Sequence, residues 1–140
     1  MLMWRMSSPK PAPALAGNVI GSNDGDFIVA EWSDPGGPPG PPRLIAPPHI
    51  HHRDDEAWYV VEGVLHVQRG DEVVELRAGS AVLVPKGTVH TYWNPSTECT
   101  RYLLIMTPNI YSLIQEIHAL EERTPAALQA LFAKHDAELC

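Results

Sequence analysis

Seven histidines are spread through the 140 residues, and two of them, His49 and His51, stand one residue apart. On an extended strand side chains alternate between faces, so both imidazoles point the same way. Glu56 follows the short turn Arg53-Asp54-Asp55 and opens the next apolar run, which lets its carboxylate return to that face. His90 begins a later run, directly after the turn Pro85-Lys86-Gly87, which would aim it. Three neutral imidazoles and one carboxylate are a donor set for one divalent transition metal ion, and iron, manganese, nickel, cobalt, copper and zinc all accept such donors. An octahedral ion held this way keeps two positions open, and open positions separate a catalytic metal from a structural one.

The elements that must carry these residues are short strands. Phe27 to Trp32 is a β-branched and aromatic run. Further apolar runs follow around Leu44–Ile45, His49–His51, Ala57–Val61, Val64–Gln68, Val73–Leu76, Ala81–Val84, His90–Trp93 and Tyr102–Met106. Turn signals separate them: Glu62-Gly63, Arg69-Gly70-Asp71, Ala78-Gly79, Lys86-Gly87 and Asn94-Pro95. Many short strands at even spacing indicate an all-β sandwich or barrel. Asp34 to Pro42 (DPGGPPGPP) is a loop, because proline removes backbone donors and glycine admits unusual dihedrals.

The tail changes period. Leu113, Ile114, Ile117 and Leu120 fall on one helical face within Ile110 to Glu122. Thr124-Pro125 is a helix start with a hydroxyl N-cap and proline in the first turn, and Leu128, Leu131 and Phe132 supply the stripe of a second helix. The chain thus divides into a mobile Pro/Ala-rich leader at 1–18, a β-barrel at 19–108, and C-terminal helices at 109–140 expected on the outside of the barrel.

Strand parity assigns the neighbours of the four donors. Trp58 shares the face of Glu56, and Tyr92 and Asn94 share that of His90. Trp58 and Tyr92 are expected to line a cavity beside the metal, with Met106 reaching it from the last barrel strand; core filling is the competing role for the aromatics. Asn94 reads as a turn residue. His52 faces away from His51. His66 reads as structural, and His118 and His135 as surface residues of the tail. Asp54 and Asp55 read as a solvated turn, with a hydrogen bond to a ligating imidazole as the alternative.

Bulk properties narrow the partners. The formal net charge is −7, with 10 Lys and Arg against 17 Asp and Glu, and the basic residues are scattered. A nucleic-acid surface needs clustered Lys and Arg, so no nucleic acid is expected. No segment reaches the apolar length of a membrane span. Cys99 and Cys140 sit in no metal-ligand spacing and read as free thiols in a reducing compartment. The expectation is a cytoplasmic protein with no membrane partner.

Two stretches carry a resemblance. His49 to Gly63 (HIHHRDDEAWYVVEG) has the pattern His-x-His, four residues, Glu, six residues, Gly. Gly79 to Asn94 (GSAVLVPKGTVHTYWN) has Gly, five residues, Pro-x-Gly, two residues, His, three residues, Asn. These resemble the first and second cupin motifs, in the family's order and separation. The glycine that usually precedes the first histidine by six residues is replaced by Arg43, with Gly40 the nearest, so that loop is expected to be longer and stiffened by proline.

The resemblance, closest to small single-domain cupins grouped with quercetin dioxygenase, implies a double-stranded β-helix, or jelly-roll barrel, with metal ligands His49, His51, Glu56 and His90. It implies a metal-dependent dioxygenase acting on a small organic substrate, aromatic or enol-containing, with Glu56 also moving a proton. A non-oxidative isomerase, cyclase or decarboxylase, and a non-catalytic small-molecule binder, are the alternatives. It also implies a homodimer in which Val19 to Trp32 adds to the neighbouring subunit's sheet.

Overall fold

The computed structural model describes residues 19–140; the leader expected at 1–18 lies outside the described residues. Among the described residues, ten strands form two antiparallel five-stranded sheets. One runs β1 (Val19–Ile20), β2 (Ile28–Asp34), β9 (Thr100–Met106), β4 (Glu56–Glu62), β7 (Ala81–Val84). The other runs β10 (Ala137–Leu139), β3 (Leu44–His51), β8 (His90–Trp93), β5 (Val64–Arg69), β6 (Glu72–Arg77). Apart from the β5–β6 hairpin, consecutive strands from β2 to β9 swap between the sheets. This is the jelly-roll arrangement, which shields sheet edges without full closure.

Alternation decides which side chains enter the core. In β9 every second residue is buried, so Thr100, Tyr102, Leu104 and Met106 face inward. They meet Trp58 and Val60 from β4, Val82 and Val84 from β7, and Leu65 and Val67 from β5. Trp58, Leu65 and Leu104 are almost wholly removed from water. Each such side chain contributes about 1.5–3 kcal/mol of burial.

Two loop features hold the ligand strands in register. Gly63, which closes the first motif, has φ 90°, and a Cβ there would lie 2.5 Å from Thr100 Oγ1. That oxygen accepts from Val64 N and donates to Val64 O, so only glycine lets β4 and β5 turn against β9. Gly87, with φ 81°, donates its N–H to His51 O at 2.7 Å, and Lys86 N donates to Asp55 Oδ1 at 2.8 Å. The turn before His90 is thereby tied to the turn that joins His51 to Glu56.

Three expectations change. The runs at Leu44–Ile45 and His49–His51 form one strand through Pro47 and Pro48. The prolines cannot donate to a ladder, and the β3–β8 register slips between Ala46 and His49. The tail ends in an additional strand, β10, which pairs with His49–His51. The helices, α1 (Pro108–Ala119) and α2 (Pro125–Lys134), do not pack on the outside of the barrel. Their apolar faces cover its open end, where Ile110, Leu113 and Phe132 line the same cavity as His49, His51 and Glu56. β10 explains this: anchoring the chain end to the ligand strand draws α2 across the mouth.

Candidate metal centre

His49 and His51 lie on β3, Glu56 opens β4 and His90 opens β8. All four are buried, and one donor atom from each lies within 4.8 Å of the others. His49 Nε2 is 3.1 Å from His51 Nε2, and Glu56 Oε1 is 3.1 Å from His90 Nε2 and 3.8 Å from His51 Nε2. Donors sharing one ion at about 2.1 Å sit roughly 3–4 Å apart. These three separations fall in that range, and the whole set spans 4.8 Å, so the donors need only a small inward shift to share one ion.

The backbone fixes which nitrogen faces inward. His49 Nδ1 donates to Pro47 O at 2.6 Å and His90 Nδ1 donates to Thr88 O at 2.9 Å. Each imidazole spends its proton on a carbonyl and turns its Nε2 lone pair to the centre, the orientation a metal ligand needs. His51 Nδ1 has no such partner.

Burial sets the charge state. It lowers His49 from 6.5 to about 4, with His90 adding to the effect, and lowers His51 to about 3, with His49 and His90 adding. Both are neutral near pH 7. Burial raises the Glu56 carboxyl above its ordinary value, against the pull of His90. Lone pairs and a carboxylate crowded in an apolar setting lack a positive partner among themselves. The four side chains are a donor set that could hold a divalent metal ion.

His49, His51 and Glu56 form the floor of a cavity of about 350 Å³. Tyr92 and Tyr102 stand in its wall and share a hydroxyl–hydroxyl hydrogen bond of 3.0 Å. Burial pushes Tyr92 well above its usual value and Tyr102 up to about 12, so both phenols remain hydrogen-bond donors. Most of the remaining wall is apolar: Trp32, Ile45 and Leu104 from the barrel, and Ile110, Leu113, Ile114, Ile117, Leu128 and Phe132 from the helices.

Of the aromatic and methionine residues expected at the cavity, Tyr92 lines it. Trp58 and Met106 are fully buried behind the wall; Trp58 packs its ring 5.7 Å from His90 and 5.2 Å from Tyr92. Tyr102 was legible in principle, because it alternates with Leu104 and Met106 along one strand. The helical part of the wall carried no sequence signal for its location.

Surrounding polar residues also sort themselves. His52 faces outward to Glu138 at 2.9 Å, and His66 pairs with its cross-strand neighbour Glu75 at 3.1 Å. Asn94 is buried and closes its turn through Ser96 N and Glu98 O. Asp54, expected in a solvated turn, is buried instead. It accepts from Thr107 Oγ1 and Asn109 Nδ2, both at 2.8 Å, and so ties the ligand turn to the start of α1 rather than to an imidazole. His135, expected on the surface, is buried between Asn109 Oδ1 at 2.9 Å and Glu116 Oε2 at 2.5 Å. Asn109 donates one amide hydrogen to Asp54 and one to His135 O, so its oxygen must accept from His135 Nδ1. His118 is exposed as expected but lies at the cavity's edge.

Residues 40–106 match the model of the cupin domain. The barrel has the cupin fold. In 90 residues, 64% of the chain, this chain is 27% identical to quercetin 2,3-dioxygenase of Bacillus subtilis strain 168. In 80 residues, 57% of the chain, it is 30% identical to mannose-1-phosphate guanylyltransferase of Salmonella muenchen. Those segments span 25% and 15% of the two proteins' own lengths. The crystal structure of TT1209 from Thermus thermophilus superposes with a TM-score of 0.53 at 24% identity, over 64% of this chain and 77% of that one. No helix among the described residues is long and apolar enough to cross a membrane.

Proposed function

We propose that this cupin-fold protein is a metal-dependent dioxygenase acting on a small, largely apolar organic substrate that presents an enol, catechol or diketone oxygen. The observation that carries the reading is the position of the donor set at the floor of a mostly apolar cavity. Partial similarity to quercetin 2,3-dioxygenase supports it. Bound to His49, His51, Glu56 and His90, a redox-active divalent ion would supply Lewis acidity and redox chemistry towards a substrate oxygen.

The protein's own residues do the rest. The apolar wall excludes water and holds an aromatic body by contact. Tyr92 and Tyr102 together carry two O–H groups, and their mutual bond uses one; the second is left to orient a substrate oxygen. Glu56, a carboxylate at the cavity floor, accepts the proton released when an enol binds as its anion.

Oxygen uptake by metal-reconstituted protein with a flavonol or a β-diketone tests this. The expected result is substrate-dependent oxygen consumption that Glu56→Ala abolishes. Turnover under anaerobic conditions would replace it with a non-oxidative isomerase, cyclase or decarboxylase; tight ligand association with no product in either gas phase would leave a binding protein. The same reading includes a cytoplasmic homodimer. Val19 and Ile20 pair with β2 of their own chain and, with Phe27, expose apolar side chains at that sheet edge. Sedimentation of Phe27→Ser, expected to shift a dimer towards monomer, checks that part.

A further inference from the structure

The cavity has a direction. On α1 its wall is Ile110, Leu113, Ile114, Ile117 and His118, a stripe at spacings of three, four, seven and eight residues along one helical face. α1 leaves the barrel from Met106, whose Cα pairs with that of Glu56. The stripe therefore starts at the depth of the metal ligands and ends at His118, about 12 Å further along the helix. α2 returns the other way, bringing the Phe132 ring to 5.5 Å from His49. The turn joining the helices lies at the outer end and contributes Arg123 to the cavity wall.

Apart from the floor histidines, Arg123 and His118 are the only basic residues among the described ones that line the cavity. Neither forms an ion pair or side-chain hydrogen bond among the described residues. Glu121 and Glu122, beside Arg123 in sequence, are exposed and do not line the cavity. In a chain of net charge −7, the mouth of an apolar chamber is an unfavourable place for an organic anion unless a cation meets it there. Arg123 is a cation that offers a planar fork of donors for an oxyanion.

We infer that the cavity takes an elongated organic anion, its oxygenated end towards the floor and a carboxylate or sulfonate at Arg123 and His118. The inference rests on the cavity being the substrate site and names the class of molecule that site accepts. An apolar body about as long as two turns of helix joins the two ends. A neutral molecule of the same shape fills the wall but leaves Arg123 without a partner.

Two fluorescent probes that differ by one anionic group test this on the full chain: 1-anilinonaphthalene-8-sulfonate and its neutral counterpart N-phenyl-1-naphthylamine. The sulfonate is expected to bind about fivefold tighter, the value of one partly exposed ion pair. Arg123→Gln with His118→Gln removes that advantage and leaves the amine unchanged. Arg77→Gln, which deletes a charge on β6, alters neither. Ile114→Trp, which fills the chamber from an incompletely buried helix position, weakens both. Equal affinity for the two probes, binding of neither, an unchanged sulfonate affinity in the double variant, an equal loss in Arg77→Gln, or indifference to Ile114→Trp would each overturn the inference. A charge preference in a protein that consumes no oxygen with any organic acid would refute the dioxygenase reading and leave this one standing.

Discussion

Glu56 Oε1 lies 3.1 Å from His90 Nε2, although the two residues are 34 positions apart in the chain. Neither residue reaches the other by local geometry. The antiparallel pairing of β4 with β7, and of β3 with β8, closes the distance, and the Gly87–His51 and Lys86–Asp55 bonds lock it.

That arrangement predicts one divalent ion per chain. Elemental analysis of protein purified without a metal-affinity tag is expected to find near-stoichiometric metal. His49→Ala and His90→Ala should lower affinity by on the order of a hundredfold or more, since altering even groups behind the ligands costs about 10–100-fold. Saturating metal at about a hundred times its Kd should stabilise the fold by about 2.7 kcal/mol, visible as a higher Tm that a chelator reverses. Folded protein that takes up no metal on reconstitution would sink the assignment.

Acid should weaken the metal-free protein. His49 and His51 have folded values of about 4 and about 3 against 6.5, so between these limits the unfolded chain binds more protons than the folded one. Their contribution to stability is complete above pH 6.5 and is lost as pH falls towards 4 and then 3. Glu56, raised by burial, acts with the opposite sign, favouring the fold below its unfolded value and losing that contribution as pH rises. Urea unfolding of Glu56→Gln across about pH 7 to 5.5 reads the histidines before the depressed carboxylates Glu75 and Glu116 add a loss of the same sign. A midpoint that does not fall with pH there would contradict their burial as neutral groups. Bound metal should be released over the same acid range, because protons compete for the same nitrogens.

The Asp54 carboxylate should matter more than a surface aspartate does. Asp54→Ala strands the Thr107 hydroxyl and one Asn109 amide hydrogen, a loss of about 1–3 kcal/mol. Faster amide hydrogen exchange at the start of α1 is the specific sign, because Thr107 Oγ1 also caps that helix by accepting from Ile110 N. A variant with unchanged stability and exchange would show that the tie contributes nothing.

The tyrosine pair offers a separate reading of the cavity. Tyr102→Phe removes one hydroxyl from the wall without touching a ligand, so metal content is expected to be unchanged. Loss of a single oriented hydrogen bond should lower kcat/KM by about tenfold. A metal-replete variant with full activity would place the substrate elsewhere in the chamber.

Local rules along the chain were enough for the donor set and the barrel that carries it. Alternation brings His49 and His51 to one face, and glycine and proline punctuate the strands. His52 as an outward residue followed from the same parity, and Asn94 as a turn residue from the Asn94-Pro95 signal. Everything that depends on where the tail returns had to wait for the folded chain. An amphipathic helix announces an apolar face but not the surface that will bury it, so α1 and α2 could be foreseen while their place over the barrel mouth could not. Their return converts Asp54 and His135 from expected surface groups into buried partners of Asn109. It also sets Tyr102, Phe132 and Arg123 around one chamber, because short-range periodicity carries no information about contacts between residues so far apart in the chain.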